Sequence, residues 1–382
     1  MLEPVATPVA SSQRGSTRIP ELDGLRGIAI LLVLVFHFSP KTGPLFYLGP
    51  AFQFGWIGVD LFFVLSGFLI TGILLDSVGR HAYYRNFIVR RTLRIFPLYY
   101  AGLILYCVLS YYPDPIRWHD FFVAGGGRWY AAYLGNVKAS LEGHWPSASL
   151  LTPLWSLQVE EQFYLTYPFL VAAVSRRSLA KVLMAAIGIA LLLRVAITLA
   201  VPNSLLWTYT FTPCRMDSLA MGGLIAVARR DYPQVLKGRW IGWATILSAA
   251  TFLIDYLYSE GSLWSAGMRT IGYSAVDLMF AGLLVMMLNG WPKALVSFCR
   301  WRGLVWIGTV SYGLYLLHVP AGVIARRFTP MLGIYPYGSV DSVICIAAAM
   351  LAAWISWTIF ESPILKLKDR FTLKERFGRQ SV

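Results

Sequence analysis

Residues 25–37 read LRGIAILLVLVFH, an apolar run that opens next to an arginine and closes on a histidine. A membrane-spanning helix needs about 20 mostly apolar residues at a rise of 1.5 Å each, and this run supplies the centre of one. The segment that contains this run is 22–40, and nine comparable segments occur at 55–76, 93–113, 154–174, 179–201, 213–229, 238–257, 270–290, 302–323 and 341–362. The sequence therefore predicts an all-α fold, a polytopic bundle of about ten transmembrane helices.

The composition agrees with a membrane protein. Of the 382 residues, 57% are hydrophobic and only 14% are charged, whereas a soluble domain carries about 25% charged residues. The net charge of +14 does not indicate nucleic-acid binding, because the basic residues lie in short loops between the apolar runs. The four cysteines form neither a CxxC motif nor a Cys/His cluster, so the sequence predicts no metal site.

The distribution of Lys and Arg predicts the orientation. With the N-terminus in the cytoplasm, the inner segments carry 22 of these residues and the outer loops carry 7. The positive-inside rule favours this arrangement, in which both termini are cytoplasmic. We expect a cytoplasmic tail over 1–21, one membrane domain over 22–365, and a basic cytoplasmic tail over 366–382 that contacts anionic membrane lipids.

Ionisable groups within a spanning helix are costly, and each is a functional candidate. Arg26 and His37 are eleven residues apart, which places them about 20° apart on one helix face and about 16 Å apart along its axis. His37 is a candidate proton acceptor, because its ordinary pKa of about 6.5 suits proton transfer near neutrality. Spacing alone equally fits a buried histidine that a neighbouring carbonyl satisfies.

Two further pairs share helix faces. Arg91 and Arg94 are three residues apart at the inner end of the third helix, where two guanidiniums suit a phosphorylated ligand. Contact with lipid headgroups is the simpler alternative. Glu160 and Tyr164 are four residues apart, and of the adjacent carboxylates Glu160 and Glu161 we expect only Glu160 to face the bundle interior.

The remaining polar positions are candidates for substrate contact or structural support. Asp60 could orient a partner residue, and Ser66 with Gly67 permits close helix packing. Ser66 lacks the Gly-x-Ser-x-Gly turn that exposes a nucleophile, so packing is its expected role. The others are Arg215, Asp217, His318 and Glu361. Together the groups indicate a path from a phosphorylated donor inside to an acceptor outside.

In this order the motifs form a recognisable pattern. They are Leu22–Arg26 with His37, Gly58–Phe68, Arg91–Pro97, Ser156–Tyr164, Arg215–Asp217, Ser311–Tyr315 with His318, and Glu361–Pro363. Across 20–365 the chain resembles the bacterial acyltransferase-three family of membrane O-acyltransferases, which modify sugars of surface polysaccharides and other secreted molecules.

The resemblance implies transfer of an acyl group, commonly acetyl, from cytoplasmic acyl-CoA to a hydroxyl of a glycan or glycosylated acceptor at the outer face. It implies that His37 is catalytic with Arg26 as its partner, that Arg91 and Arg94 hold the phosphates of CoA, and that Glu160 is the fixed carboxylate. The co-substrate is acyl-CoA, with no permanently bound cofactor. We expect no hydrolase-like domain after the last helix, so that either a separate periplasmic transferase completes the modification or none is needed.

Two other classes of protein compete with this interpretation. A transporter or flippase for a glycan precursor would also need charged groups in its bundle, but the sequence has no inverted repeat and no matching pair of broken helices. A non-catalytic scaffold of a glycan-assembly complex would tolerate substitution of His37. We expect the protein in the bacterial cytoplasmic (inner) membrane.

Overall fold

The protein is helical throughout the part of the chain that the computed structural model describes, namely residues 19–111, 126–146, 149–202, 204–259, 261–262 and 264–371. Within these ranges there is no β-strand, only one isolated bridge between Thr42 and Gly338. The principal helices are α1 (Pro20–His37), α2 (Gly58–Ser77), α3 (Tyr83–Tyr111), α4 (Gly126–Ala131), α5 (Gly135–Glu142), α6 (Leu154–Ala173), α7 (Arg176–Ala200), α8 (Leu205–Thr210), α9 (Thr212–Asp231), α10 (Trp240–Tyr258), α11 (Tyr273–Leu288), α12 (Lys293–Cys299), α13 (Arg302–Thr309), α14 (Ser311–Phe328) and α15 (Ser339–Ser356).

Shorter helical segments join the principal helices or extend them. They are Pro44–Leu48, Gly49–Gln53, Phe54–Ile57, Ser149–Leu151, Val235–Lys237, Thr329–Leu332, the π-helical turns Met268–Gly272 and Trp357–Glu361, and the C-terminal pieces Ser362–Lys366 and Lys368–Phe371. Of the tails predicted over 1–21 and 366–382, residues 1–18 and 372–382 lie outside the described residues. Helix α1 already begins at Pro20, because proline favours the first turn of a helix.

Each of the ten predicted segments corresponds to a helix or to a pair of helices. Within the described residues, six helices are long and apolar enough to cross a membrane, and there are seven if a bent pair counts as one span. The chain is therefore a multi-pass membrane protein. Helices α1 and α9 carry several charged residues, and α6 carries two adjacent glutamates between two glutamines. Because of these polar residues they fall short of the apolar criterion. The prediction of about ten spans and the prediction that both termini are cytoplasmic remain predictions.

Two local expectations require correction. Helix α3 begins at Tyr83, ten residues before the predicted 93. The early start is possible because the exposed Arg90 faces outwards, while Arg91 and Arg94 face a cavity within the bundle. The segment 302–323 is two helices bent by 74° at Val310. The region 114–153, which lies between two predicted spanning segments, contains helices α4 and α5 in its described part.

Helices α2 and α9 pack unusually closely. A side-chain carbon added at Gly67 would collide with the carbonyl oxygen of Leu219, and one added at Gly222 would collide with that of Val64. Backbones approach this closely only where small residues leave room, as is typical of helix pairs in membranes. The two glycines therefore fix the crossing of α2 and α9, which holds Asp60, Ser66 and the polar side chains of α9 at the centre of the bundle.

The outer helices expose apolar side chains, whereas the centre of the bundle holds polar ones. Large apolar side chains of α7 and α10 are exposed, among them Leu192, Leu199, Trp243, Leu247 and Ile254. Exposed apolar patches of this size are rare on soluble proteins. These faces are suited to contact with lipid, and the polar residues are confined to the interior of the bundle.

We predict that Gly67→Ala destabilises the protein by about 1–3 kcal/mol, because the new methyl group overpacks the contact between α2 and α9. The measurement is the midpoint of thermal unfolding in detergent. Gly188→Ala in α7 is the matched control, because no atom lies within 4 Å of the added carbon. An unchanged midpoint for Gly67→Ala would show that the two helices do not pack as described.

Candidate active site

A cavity of about 460 Å³ lies in the bundle between α1, α2, α3, α6 and α14. Four of the residues predicted to be catalytic or to bind CoA line it: Arg26 from α1, Arg91 and Arg94 from α3, and Glu160 from α6. Ser66 and Tyr164 line it as well. The structure therefore brings together side chains that are up to 138 positions apart in the sequence and that the analysis above named individually.

The three arginines differ from the other arginines inside the bundle. Among the described residues, Arg194 and Arg215 each form an ion pair with an aspartate. No carboxylate of the described residues lies within ion-pair distance of Arg26, Arg91 or Arg94. Their positive charge is directed towards the cavity without a protein counter-charge in contact. An anionic ligand with several oxygen atoms would supply that counter-charge.

One side of the cavity is an ordered polar wall. The Ser66 hydroxyl donates a hydrogen bond of 2.5 Å to Oε1 of Glu160, and the Tyr164 hydroxyl donates one of 3.3 Å to Oγ of Ser66. The ring of Tyr164 lies 5.5 Å from the guanidinium carbon of Arg91, a cation–π distance. These contacts orient both Glu160 and Arg91.

Glu161 is buried as well, which contradicts the expectation that only one of the two glutamates faces the interior. Glu161 does not line the cavity. The bundle surrounds α6 on more than one side, so two carboxylates about 100° apart on the helix can both be enclosed.

Helix α14 contributes a wall that the sequence analysis did not assign to the site. Ser311, Tyr312 and Tyr315 line the cavity. The hydroxyl of Tyr315 lies 2.6 Å from Oγ of Ser156 and donates a hydrogen bond of 2.9 Å to the carbonyl of Pro153. The spacing of Tyr315 three residues before His318 is the signal that could have linked it to the site, since the two share a helix face.

His37 does not line the cavity. Its ring packs edge-to-face against the ring of His318 with the centroids 4.7 Å apart. Nδ1 of His37 donates a hydrogen bond of 2.9 Å to the carbonyl of Val33, because a carbonyl can only accept. The contact with a neighbouring carbonyl anticipated above is therefore present, and in a neutral ring it leaves Nε2 as the proton acceptor.

The remaining predicted residues lie outside the cavity lining. Asp60 and Arg215 form a fully buried ion pair between α2 and α9. Asp217 accepts hydrogen bonds from Arg194 at 2.6 Å and from Ser274 at 2.9 Å. Arg194 was missed by the sequence analysis, although a lone arginine within the apolar run 179–201 was a visible signal.

Glu361 also lies beside the cavity instead of lining it. Its Oε1 accepts a hydrogen bond of 2.9 Å from Ser356 and lies against Gly313 of α14. Trp357, in the same π-helical turn, does line the cavity. Glu361 is therefore placed to support the wall formed by α14.

With this geometry established, the chain can be compared with known proteins. Residues 19–360 match the acyltransferase-three family, described as an acyltransferase domain. The match covers most of the chain, so the protein belongs to this family, and the expected family resemblance is confirmed. The family and the names of the relatives support an O-acyltransferase enzyme.

Three curated relatives have similar sequences. A putative peptidoglycan O-acetyltransferase of Bacillus subtilis, YrhL, is 29% identical over 374 residues, which cover 91% of this chain and 55% of that protein. Peptidoglycan O-acetyltransferase OatA of Listeria monocytogenes is 29% identical, covering 91% and 56%. O-acetyltransferase OatA of Staphylococcus aureus is 26% identical, covering 91% and 57%. The chain thus spans a little over half the length of these relatives, and no solved structure matches it.

We predict that Asp60→Leu destabilises the protein by about 3–5 kcal/mol, because it leaves Arg215 buried and without its counter-charge. Thermal unfolding in detergent measures the effect. Asp76→Leu is the control: Asp76 pairs with Arg230 at an exposed position, where an ion pair contributes only about 0–1 kcal/mol. Equal losses in the two variants would contradict the structural role assigned to the buried pair.

Proposed function

We propose that this protein is a membrane O-acetyltransferase that transfers an acetyl group from acetyl-CoA to a sugar hydroxyl of a glycan. The observation that carries the proposal is the convergence of Arg26, Arg91 and Arg94 on one cavity, where none of them forms an ion pair with a carboxylate of the described residues. The names of the relatives support the glycan acceptor, since two of them act on peptidoglycan by name. Peptidoglycan, another surface polysaccharide and a lipid-linked glycan remain alternatives for the acceptor.

The donor is proposed from the chemistry of the cavity. Guanidinium groups bind phosphate through paired hydrogen bonds, so Arg91 and Arg94 would hold the phosphates of acetyl-CoA at the cytoplasmic end. Apolar side chains line the rest of the cavity, including Phe62, Leu69 and Leu157. They suit the pantetheine arm. The axial separation of Arg26 and His37, about 16 Å, is a distance that an extended arm can cover.

The proposed chemistry takes place at His37. Nε2 of His37 would accept the proton of the acceptor hydroxyl while the hydroxyl oxygen attacks the thioester carbonyl. The carbon–oxygen bond forms, the carbon–sulfur bond breaks, and CoA leaves as a thiolate that is then protonated. An acetyl-histidine intermediate is the two-step variant, and it uses the same atom. Tyr315 lies between the two regions, because it lines the cavity and its ring centroid is 5.8 Å from that of His318.

The location and partners follow from the same proposal. The bundle would lie in the cytoplasmic membrane of a bacterium, with acetyl-CoA entering from the cytoplasm and the acceptor approaching the end that bears His37. A separate periplasmic transferase would be needed only if the acetyl group is passed on after leaving the bundle. Membrane lipids would contact the exposed faces of α7 and α10.

We predict that Arg91→Ala weakens acetyl-CoA binding by about 10- to 100-fold, because it removes a charge-assisted hydrogen-bond donor worth about 1.5–3 kcal/mol. Calorimetry with the purified protein in nanodiscs measures the affinity. Arg90→Ala is the matched control, because the neighbouring Arg90 is exposed and does not line the cavity. Equal affinities of the two variants would exclude the cavity as the CoA site.

We predict that His37→Ala lowers acetyl transfer at least about 100-fold with acetyl-CoA binding retained, because the alanine cannot accept a proton. Mass spectrometry of surface glycans from cells with equal amounts of inserted protein detects the acetyl increment and identifies the acceptor. His81→Ala, at an exposed position after α2, is the control. An acetyl mark made by the His37 variant would remove this residue from the mechanism, and its absence from the wild-type strain would argue against the enzyme.

A further inference from the structure

The second histidine of the pair has an unused acceptor atom in the middle of the bundle. His318 is fully buried, and its Nδ1 donates a hydrogen bond of 2.6 Å to the carbonyl of Tyr315. Nε2 of His318 is buried and has no hydrogen-bond partner among the described residues. Burying a lone pair without a donor costs about 1–3 kcal/mol. An interaction that forms only during the reaction would explain why such a buried atom is unpaired.

Ring contacts and hydrogen bonds fix the surroundings of the pair. In the described part of the chain, the rings that contact His37 are those of Phe36 and His318, so His318 is its polar neighbour. Phe38 packs on the other side of His318. The guanidinium of Arg326 lies 5.6 Å from the ring centroid of Phe38, and its charge is compensated by an ion pair of 3.0 Å with Asp341.

Only after proton transfer does one ring of the pair carry a positive charge while the other keeps a free lone pair. Before the reaction each neutral ring has a hydrogen on Nδ1 and a lone pair on Nε2. When Nε2 of His37 takes the hydroxyl proton, its ring becomes a cation next to the neutral ring of His318. The ring of His318, whose centroid lies 4.7 Å from that of His37 and whose Nε2 still has a free lone pair, is then the polar group packed against that cation. In a buried setting such interactions are stronger than in water.

We propose that His318 is a positioning residue that stabilises His37 in its protonated state during acyl transfer. The inference rests on the proposed function, because it assumes that His37 accepts the proton. His318 forms and breaks no covalent bond: the proton moves from the acceptor hydroxyl to His37, and the acyl group moves from sulfur to oxygen. Because the contact gains strength only in the transition state, its loss lowers kcat and leaves substrate affinity unchanged.

The test compares His318→Phe with His318→Gln in purified protein reconstituted with acetyl-CoA and a glycan acceptor. Phenylalanine fills the space without a lone pair, whereas glutamine keeps a donor and an acceptor. We expect His318→Phe to lower kcat by about tenfold or more at an unchanged KM for acetyl-CoA and an unchanged melting temperature, and His318→Gln to recover part of the rate. A wild-type kcat in the Phe variant overturns the proposal, and so does a Gln variant as slow as the Phe variant.

A spectroscopic measurement covers the case in which His318→Phe does not fold. The chain has five histidines, so ¹⁵N-histidine labelling gives assignable imidazole signals. We expect the Nε2 signal of His37 to move in His318→Gln and to stay in place in His81→Gln. An unmoved His37 signal in both variants overturns the inference. Wild-type transfer that His37→Ala does not reduce would instead refute the proposed role of His37 itself, so the two failures are distinguishable.

Discussion

The architecture depends on one constraint, that a charge inside a membrane bundle must find a compensating group. Around α9 this requirement is met by protein alone: Asp60 faces Arg215, and Asp217 faces Arg194. On the other side of α2 it is not, because Arg26, Arg91 and Arg94 surround a cavity. The same helix therefore separates a set of charges paired within the protein from a set of arginines that faces a cavity.

The position of α2 follows from its glycines. Gly67 lets the backbone of α9 approach directly, and Ser66, one residue earlier, lines the cavity and contacts Glu160. Adjacent positions on a helix point about 100° apart. Gly67 therefore packs against α9, while the neighbouring Ser66 faces the cavity. The expectation that Ser66 has a packing role was thus incomplete: its neighbour provides the close packing, and its hydroxyl orients a glutamate.

Hydropathy and helical spacing predict the elements but not their arrangement. The apolar runs mark ten helical segments, and the polar residues within or next to them include six predicted site residues that line the cavity, of which four are charged. Three features depend on tertiary contacts and could not be read locally: the early start of α3, whose arginines lower its hydropathy; the bend at Val310; and helix α5. The last is held by Asn136, whose side-chain nitrogen donates hydrogen bonds of 3.0 Å to Thr210 and Thr212. The contact between His37 and His318, 281 positions apart, lies equally beyond sequence spacing.

Helix α14 carries Ser311, Tyr312 and Tyr315 in the cavity wall and His318 two turns beyond its start. A helix transmits displacement along its axis nearly as a rigid rod, so a ligand that shifts the wall also shifts the histidine. Donor occupancy and the alignment of the histidine pair are then thermodynamically linked. By reciprocity, any change that favours the aligned histidine pair also raises the affinity of the cavity for the donor. For the proposed donor, this linkage would align the histidine pair while the cavity is occupied.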